Sequence, residues 1–328
     1  MIWLVWRQHR KQLLAGVIGL AVLALVLIPT GRSSHKASAA YLTCLDTLGN
    51  ADFISMEKAE TCDKLANTLN DKYESWAFAG ILLLVLPLLI GLFWGAPLVA
   101  REVEQGTHRL VWTQGITRRR WAVTKFGLIT VAVVALSAVY TVLVNWWMEP
   151  LNYSISERFG YIFFDQQGVV PIAYTLFAVA IGVFAGTVLP KMLSAMTTTL
   201  VVFLVVRIVV AVLVRPNIQG EETKTALVAG TERIVPNPGV GSWITENGMY
   251  RADGTLAQGG GVAYCVPAPG SERGGGPCGD LGEGAYNQWT YQPGDRFWPF
   301  QWVELGIFVV LSVVLLYAAL RRVRHRLS

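Results

Sequence analysis

Side chains able to do chemistry are few and scattered. The four histidines, His9, His35, His108 and His325, share no short motif with an acid or a cysteine. The sequence holds no H-E-x-x-H, no G-x-S-x-G and no G-x-x-x-x-G-K-[ST]. The chain therefore carries no zinc-protease helix, no nucleophile elbow and no phosphate-cradling loop of its own. Two other groups stand out. Arg207 and Glu304 are charges inside long apolar runs, and such charges are functional candidates by default. The cysteines are Cys44, Cys62, Cys265 and Cys278, with no other in the chain. No enzymatic activity is expected of this chain, and no metal site.

The elements that hold these residues are spans. Of the 328 residues 53% are hydrophobic and only 15% charged, well below the quarter or so typical of soluble domains. A helix needs roughly 20 apolar residues to cross the hydrocarbon core. Six runs qualify: 13–31, 76–100, 122–147, 169–189, 192–214 and 300–320. They are separated by segments 1–12, 32–75, 101–121, 148–168, 215–299 and 321–328. The fold class expected is an all-α polytopic membrane protein with six transmembrane helices and an N-terminal interfacial helix. Two external, disulfide-containing regions complete it.

Charge sets the orientation. Segments 1–12, 101–125, 190–191 and 321–328 carry 14 of the 27 Lys+Arg and two acids, Glu102 and Glu104. Segments 32–75, 148–168 and 215–299 carry 12 Lys+Arg and 19 Asp+Glu. The basic set is expected inside the cell, with both termini, and the acidic set outside. Ala37-Ser38-Ala39 after the first apolar run leaves a cleaved signal peptide as a rival for that run. In MIWLVWRQHRKQ, Trp3 and Trp6 beside Arg7, Arg10 and Lys11 suit a helix lying on the inner membrane surface. Plain flanking of the first span is the alternative.

With this orientation one cysteine pair falls in each external region. Local disulfides Cys44–Cys62 and Cys265–Cys278 are expected in an oxidising compartment, with zinc as the weaker alternative. Residues 44–74 show helical spacing, and the Gly- and Pro-rich 215–299 region reads as loop or short strand. Arg207 and Glu304 lie roughly 22 and 24 Å from the inner boundary at 1.5 Å per residue. They are expected to pair or to line one polar cavity. The alternative is that Glu304 reaches outer headgroups while Arg207 caps a carbonyl. Thr199, Phe203 and Arg207 share a partly polar helix face. Gly91 with Gly95 and Gly182 with Gly186 form G-x-x-x-G pairs suited to close helix approach.

The segment REVEQGTHRLVWTQGITRRRW, residues 101–121, is too patterned for a plain connector. Its residues Glu104, Gly106, Thr107, Leu110, Thr113, Ile116, Thr117 and Arg118, with Lys125 beyond, resemble the loop after the second span in bacterial ABC transporter permeases of the type-2 exporter class. The opening MIWLVWRQHRKQ looks like the start of actinobacterial members. Gly115 stands where that family often has Pro, and the cysteine-bearing external region is larger than usual.

The resemblance implies a plasma-membrane permease that hydrolyses no ATP itself. Two such subunits, as a homodimer, would meet two ATP-binding subunits, which supply the ATP and Mg chemistry. Glu102, Glu104, Gly106, Thr107, Leu110 and Trp112 would form the coupling contact, with the carboxylates as polar contacts and Leu110 or Trp112 as the apolar anchor. The expected substrate is hydrophobic or amphipathic: a lipid, drug or peptide. Membrane lipid is the expected surrounding partner, and nucleic acid is not one. The rivals are a membrane-anchored sensor or assembly protein with external ligand-binding regions, and a membrane enzyme.

Overall fold

A computed structural model describes residues 2–48, 62, 64–65, 67–68, 71, 80, 83–106, 117–150, 158–189, 191–227, 241–259 and 284–325. The chain forms two compact units. The first comprises Met1–Ser154, Tyr161–Pro216 and Pro299–Ser328, and the second Ile155–Gly160 and Asn217–Trp298.

Among the described residues six helices are long and apolar enough to cross a membrane. Helix α1 spans Ile2–Leu48 without a break between residues 12 and 13. Residues 2–12 and the first span are thus one continuous helix. Nothing between Arg7 and Gln12 breaks a helix, because these are straight-chain residues and a histidine. At 1.5 Å per residue α1 is about 70 Å long, so it projects beyond a hydrocarbon core of about 30 Å. It also runs through Pro29. Beside it the Thr30 hydroxyl donates to the Val26 carbonyl at 2.8 Å and the Ser34 hydroxyl to the Thr30 carbonyl at 3.2 Å, within the same helix.

Helix α2 covers Leu83–Glu104 and contains a π turn at Gly91–Gly95. Helix α3 covers Arg118–Met148, with Thr117 as N-cap accepting from the Arg120 amide. A short α4 at Tyr161–Phe164 leads to a turn and to α5, Val170–Val188. Helix α6, Met192–Val209, continues through a π turn at Val210–Val214 and a 3-10 turn at Arg215–Asn217. Helix α7 covers Phe297–His325.

Helix α5 is the hub. Its apolar window is 83% buried, against 6% for α1, and it packs on α2, α3 and α6. A core of Val99, Phe126, Ile129, Val179, Val183, Ala319 and Val323 joins α2, α3, α5 and α7. The start of α5 is held by Gln301 of α7, whose Oε1 accepts from the Val169 and Val170 amides at 3.0 Å each. Those amides have no partner within the helix. Asn145 of α3 fixes the preceding turn by bonding both the amide and the carbonyl of Gly168, which sits at φ +69°.

The second unit corrects the expectation of an all-α protein. It contains a four-stranded antiparallel sheet of β1 (Glu222–Leu227), β2 (Trp243–Tyr250), β3 (Leu256–Gly259) and β4 (Tyr286–Gln292), in the order β1-β4-β2-β3. The central β4, YNQWTYQ, is rich in the aromatic and β-branched residues that fit a pleated surface. Tyr250 and Tyr286, paired across β2 and β4, stack with ring centres 5.6 Å apart. Arg296 clips β1 by pairing with Glu222 at 2.5 Å. The molecule is thus mostly helical rather than wholly so.

Candidate functional site

Two polar nodes lie inside the first unit, one toward each end of its helices. The first gathers Asp165, Tyr174, Arg207, Arg215 and Glu304. Arg207 donates to Asp165 Oδ2 through Nε and Nη2 at 3.1 and 2.8 Å. Arg215 reaches Asp165 Oδ1 at 2.5 Å and both oxygens of Glu304 at 3.0 and 3.1 Å. The Tyr174 hydroxyl lies 2.5 Å from Glu304 Oε1 and 3.1 Å from Asp165 Oδ1. Arg215, Tyr174 and Glu304 are all fully buried.

Arg207 and Glu304 do not pair with each other. Each is bound to members of one network, linked through Asp165 and Arg215. Two guanidinium groups face two carboxylates, so the formal charge balances, the condition under which ions persist away from water. Aromatic rings close around the node. The Arg207 guanidinium lies 4.8 Å from the Tyr174 ring centre, and that of Arg215 lies 4.0 Å from Phe164. Arg215 Nη1 is buried without a hydrogen-bond partner among the described residues.

Backbone irregularity makes the network possible. Residues eight apart stand about 80° apart around an unbroken α-helix. The π turn at Val210–Val214 takes up one extra residue, which brings Arg215 to about 20° from Arg207 on the same face. Asp165 enters from the turn that Asn145 and Gln301 fix. Thr199 is buried on the same helix and donates to the Ala195 carbonyl at 2.8 Å, within its own helix, so it takes no part in the network.

The second node is at the end of the helices where residues 101–106 emerge. The Glu102 carboxylate accepts from Lys125 Nζ of α3 at 2.5 Å and from Gln8 Nε2 of α1 at 2.6 Å. Lys125 is only 1% exposed and lies 5.1 Å from the Trp121 ring centre. Glu104 Oε2 accepts from the Met192 amide at 2.9 Å, capping α6, whose own N-cap residue Lys191 makes no side-chain cap. Both carboxylates thus tie α2 to its neighbours. The chain turns at Gly106, at φ +69°. Thr107, Leu110 and Trp112 lie outside the described residues.

The four glycines of the two G-x-x-x-G pairs meet one another. A Cβ at Gly91 would lie 2.5 Å from Ala178 Cβ, and one at Gly95 2.8 Å from the Val179 carbonyl oxygen. From the other side, a Cβ at Gly182 would lie 2.5 Å from the Ala96 nitrogen, and one at Gly186 2.9 Å from the Ala100 nitrogen. Helices α2 and α5 therefore touch backbone to backbone. The disulfide Cys44–Cys62 is formed, with Cα atoms 5.7 Å apart. Cys265 and Cys278 lie outside the described residues.

Sequence reasoning found Arg207 and Glu304 but missed Asp165 and Arg215, which sit at the edges of apolar runs and were counted with the external segments. The available signals were the apolar Tyr161–Phe164 leading into Asp165, and the direct continuation of an apolar run into Arg215. Lys125 belonged to the resemblance but not to the expected contact set. Neither Gln8 nor Gln301 carried any sequence signal.

Residues 17–215 match the model of a family described as ABC-2 membrane transporter related. No curated protein and no solved structure matches the chain.

Proposed function

The chain belongs to the ABC-2 membrane transporter related family, and from that premise we propose that it is the membrane-spanning subunit of an ATP-driven exporter. It is a multi-pass membrane protein of a permease family that works with ABC ATP-binding subunits. The proposal adds the specifics. Two copies associate with two ATP-binding subunits, both termini face the cytoplasm, and the substrate is hydrophobic or amphipathic.

The observation that supports this reading best is the node at the end of α2. Glu102 ties α2 to α1 and α3, and Glu104 ties it to the first residue of α6. Any push delivered to residues 107–116 arrives at a helix end hydrogen-bonded to three others. Because both carboxylates are already held, direct contact with an ATPase is assigned chiefly to Thr107, Leu110 and Trp112. ATP-driven closure of the partner subunits then biases the helix bundle between two arrangements, the usual form of ligand-driven switching.

The test is co-purification of the chain with an ATP-binding subunit. Complex formation is expected with the native sequence and lost when residues 107–112 are replaced by a Gly/Ser segment. Recovery of no ATPase, together with tolerance of that replacement, would overturn the reading.

A further inference from the structure

The first unit holds a cavity of about 310 Å³ between α1, α2 and α3, reached also by Thr175 of α5. Its α1 wall runs from Ala15 to Leu23 and its α2 wall from Leu86 to Trp94. Nine residues of helix on each side, eight helical steps, make it about 12 Å long. An apolar slot of that length suits an extended polymethylene segment.

The lining is mainly apolar. Three hydroxyls reach the cavity, and each gives its proton to a backbone carbonyl: Ser137 to Val134 at 3.1 Å, Tyr140 to Leu83 at 3.1 Å and Thr175 to Pro171 at 2.8 Å. What remains is Leu20, Leu23, Leu86, Ile90, Trp94 and Leu136. A water molecule needs two to four polar partners to settle in such a place, so a cavity of this kind stays dry or takes an apolar guest. The α1 wall is thin because Ala15, Gly16 and Gly19 form it. Helix α1 is itself only 6% buried over its apolar window, so its far face is open apolar surface of the kind that hydrocarbon covers. The source of an apolar guest is one helix away.

We propose that this cavity is a binding site for a single hydrocarbon chain, the tail of a bilayer amphiphile, lying alongside α1. The site stands on packing and hydrogen bonding alone and does not depend on ATP-driven export.

Gly19 gives a clean way to close it. A Cβ there meets nothing within 4 Å, whereas one at Gly16 would lie 2.9 Å from the Trp94 ring. Gly19 lines the cavity, so Gly19→Phe adds a ring at its α1 wall with no clash at Cβ, and Gly19→Leu serves if the larger residue prevents folding. The full chain is placed in phospholipid nanodiscs with a trace of phosphatidylglycerol bearing a diazirine on one acyl chain, or of diazirine-labelled palmitate. Labelled positions are mapped by peptide mass spectrometry.

Adducts are expected on residues 15–23 and 86–94, denser than on the exposed Val310, Val313 and Val314 of α7. They should fall about tenfold in the Gly19 variant, since each displaced methylene loses its burial, while the α7 adducts stay unchanged. Labelling from the phospholipid identifies a membrane lipid as the source, and labelling from palmitate alone identifies a free acid. Adducts no denser than on α7, or undiminished by both Gly19 variants, would overturn the proposal. Neither result bears on ATPase binding, which the co-purification test addresses separately.

Discussion

Arg215 touches three of the other four members of its network, Asp165, Glu304 and Tyr174. Removing its charge would leave the buried Glu304 with only the Tyr174 hydroxyl, while Asp165 would keep Arg207. Breaking a buried pair from one side costs about 3–5 kcal/mol. Arg215→Met is expected to lose that much, read as a large fall in Tm in detergent. A network also behaves differently from a pair. Exchanging charge between positions 207 and 304 would set the new carboxylate against Asp165 and the new cation against Arg215. The double variant R207E/E304R is therefore expected to be no more stable than either single variant. Recovery of stability in the double variant would mean that Arg207 and Glu304 pair directly. Arg207 and Glu304 are legible in the sequence because a charge inside an apolar run is costly and therefore stands out. Asp165 and Arg215 are not, because a charge at the edge of such a run looks like one that meets headgroups. What draws them inward is a π turn and a capped turn, and neither leaves a pattern in side-chain type.

At the scale of elements, α2 and α5 are joined by contacts that only glycine permits. The neighbour that a Cβ at Gly182 would meet is the Ala96 backbone, which cannot swing aside as the end of a side chain can. Gly182→Ala is expected to cost about 1–3 kcal/mol by overpacking, seen as a lower Tm in detergent. Gly127 provides the contrast. It sits inside α3 with nothing within 4 Å of its would-be Cβ, so Gly127→Ala should be neutral or gain up to about 1 kcal/mol from reduced chain entropy. Equal effects at the two glycines would sink this account of the interface. The two G-x-x-x-G motifs were visible in the sequence, but not that each is the other's partner, because a motif states what a helix can approach and not which helix approaches it. The six spans were legible from apolar run length. The Gly- and Pro-rich 215–299 region reads as loop or short strand, but the pairing of four strands into one sheet is not legible, because the Gly-rich stretch before β4 carries no alternating pattern.

For the whole molecule, the order in which the chain is made has a consequence for the buried network. Asp165 is synthesised first, then Arg207 and Arg215, and Glu304 last of all. Until α7 arrives, two cations share one carboxylate in a site that excludes water, and the half-built bundle carries an uncompensated positive charge. Helix α7 also brings Gln301, the acceptor for the first amides of α5. A nascent chain stopped before residue 297 is thus expected to be short-lived in the membrane, and adding Arg215→Leu should lengthen its life. Pulse-chase half-lives of the two truncated forms would show this, and equal half-lives would refute it. The late carboxylate acts as a completion mark. In an unfinished copy the excess positive charge is expected to keep the bundle from closing, so the balance that stabilises the mature bundle is set only by its last helix.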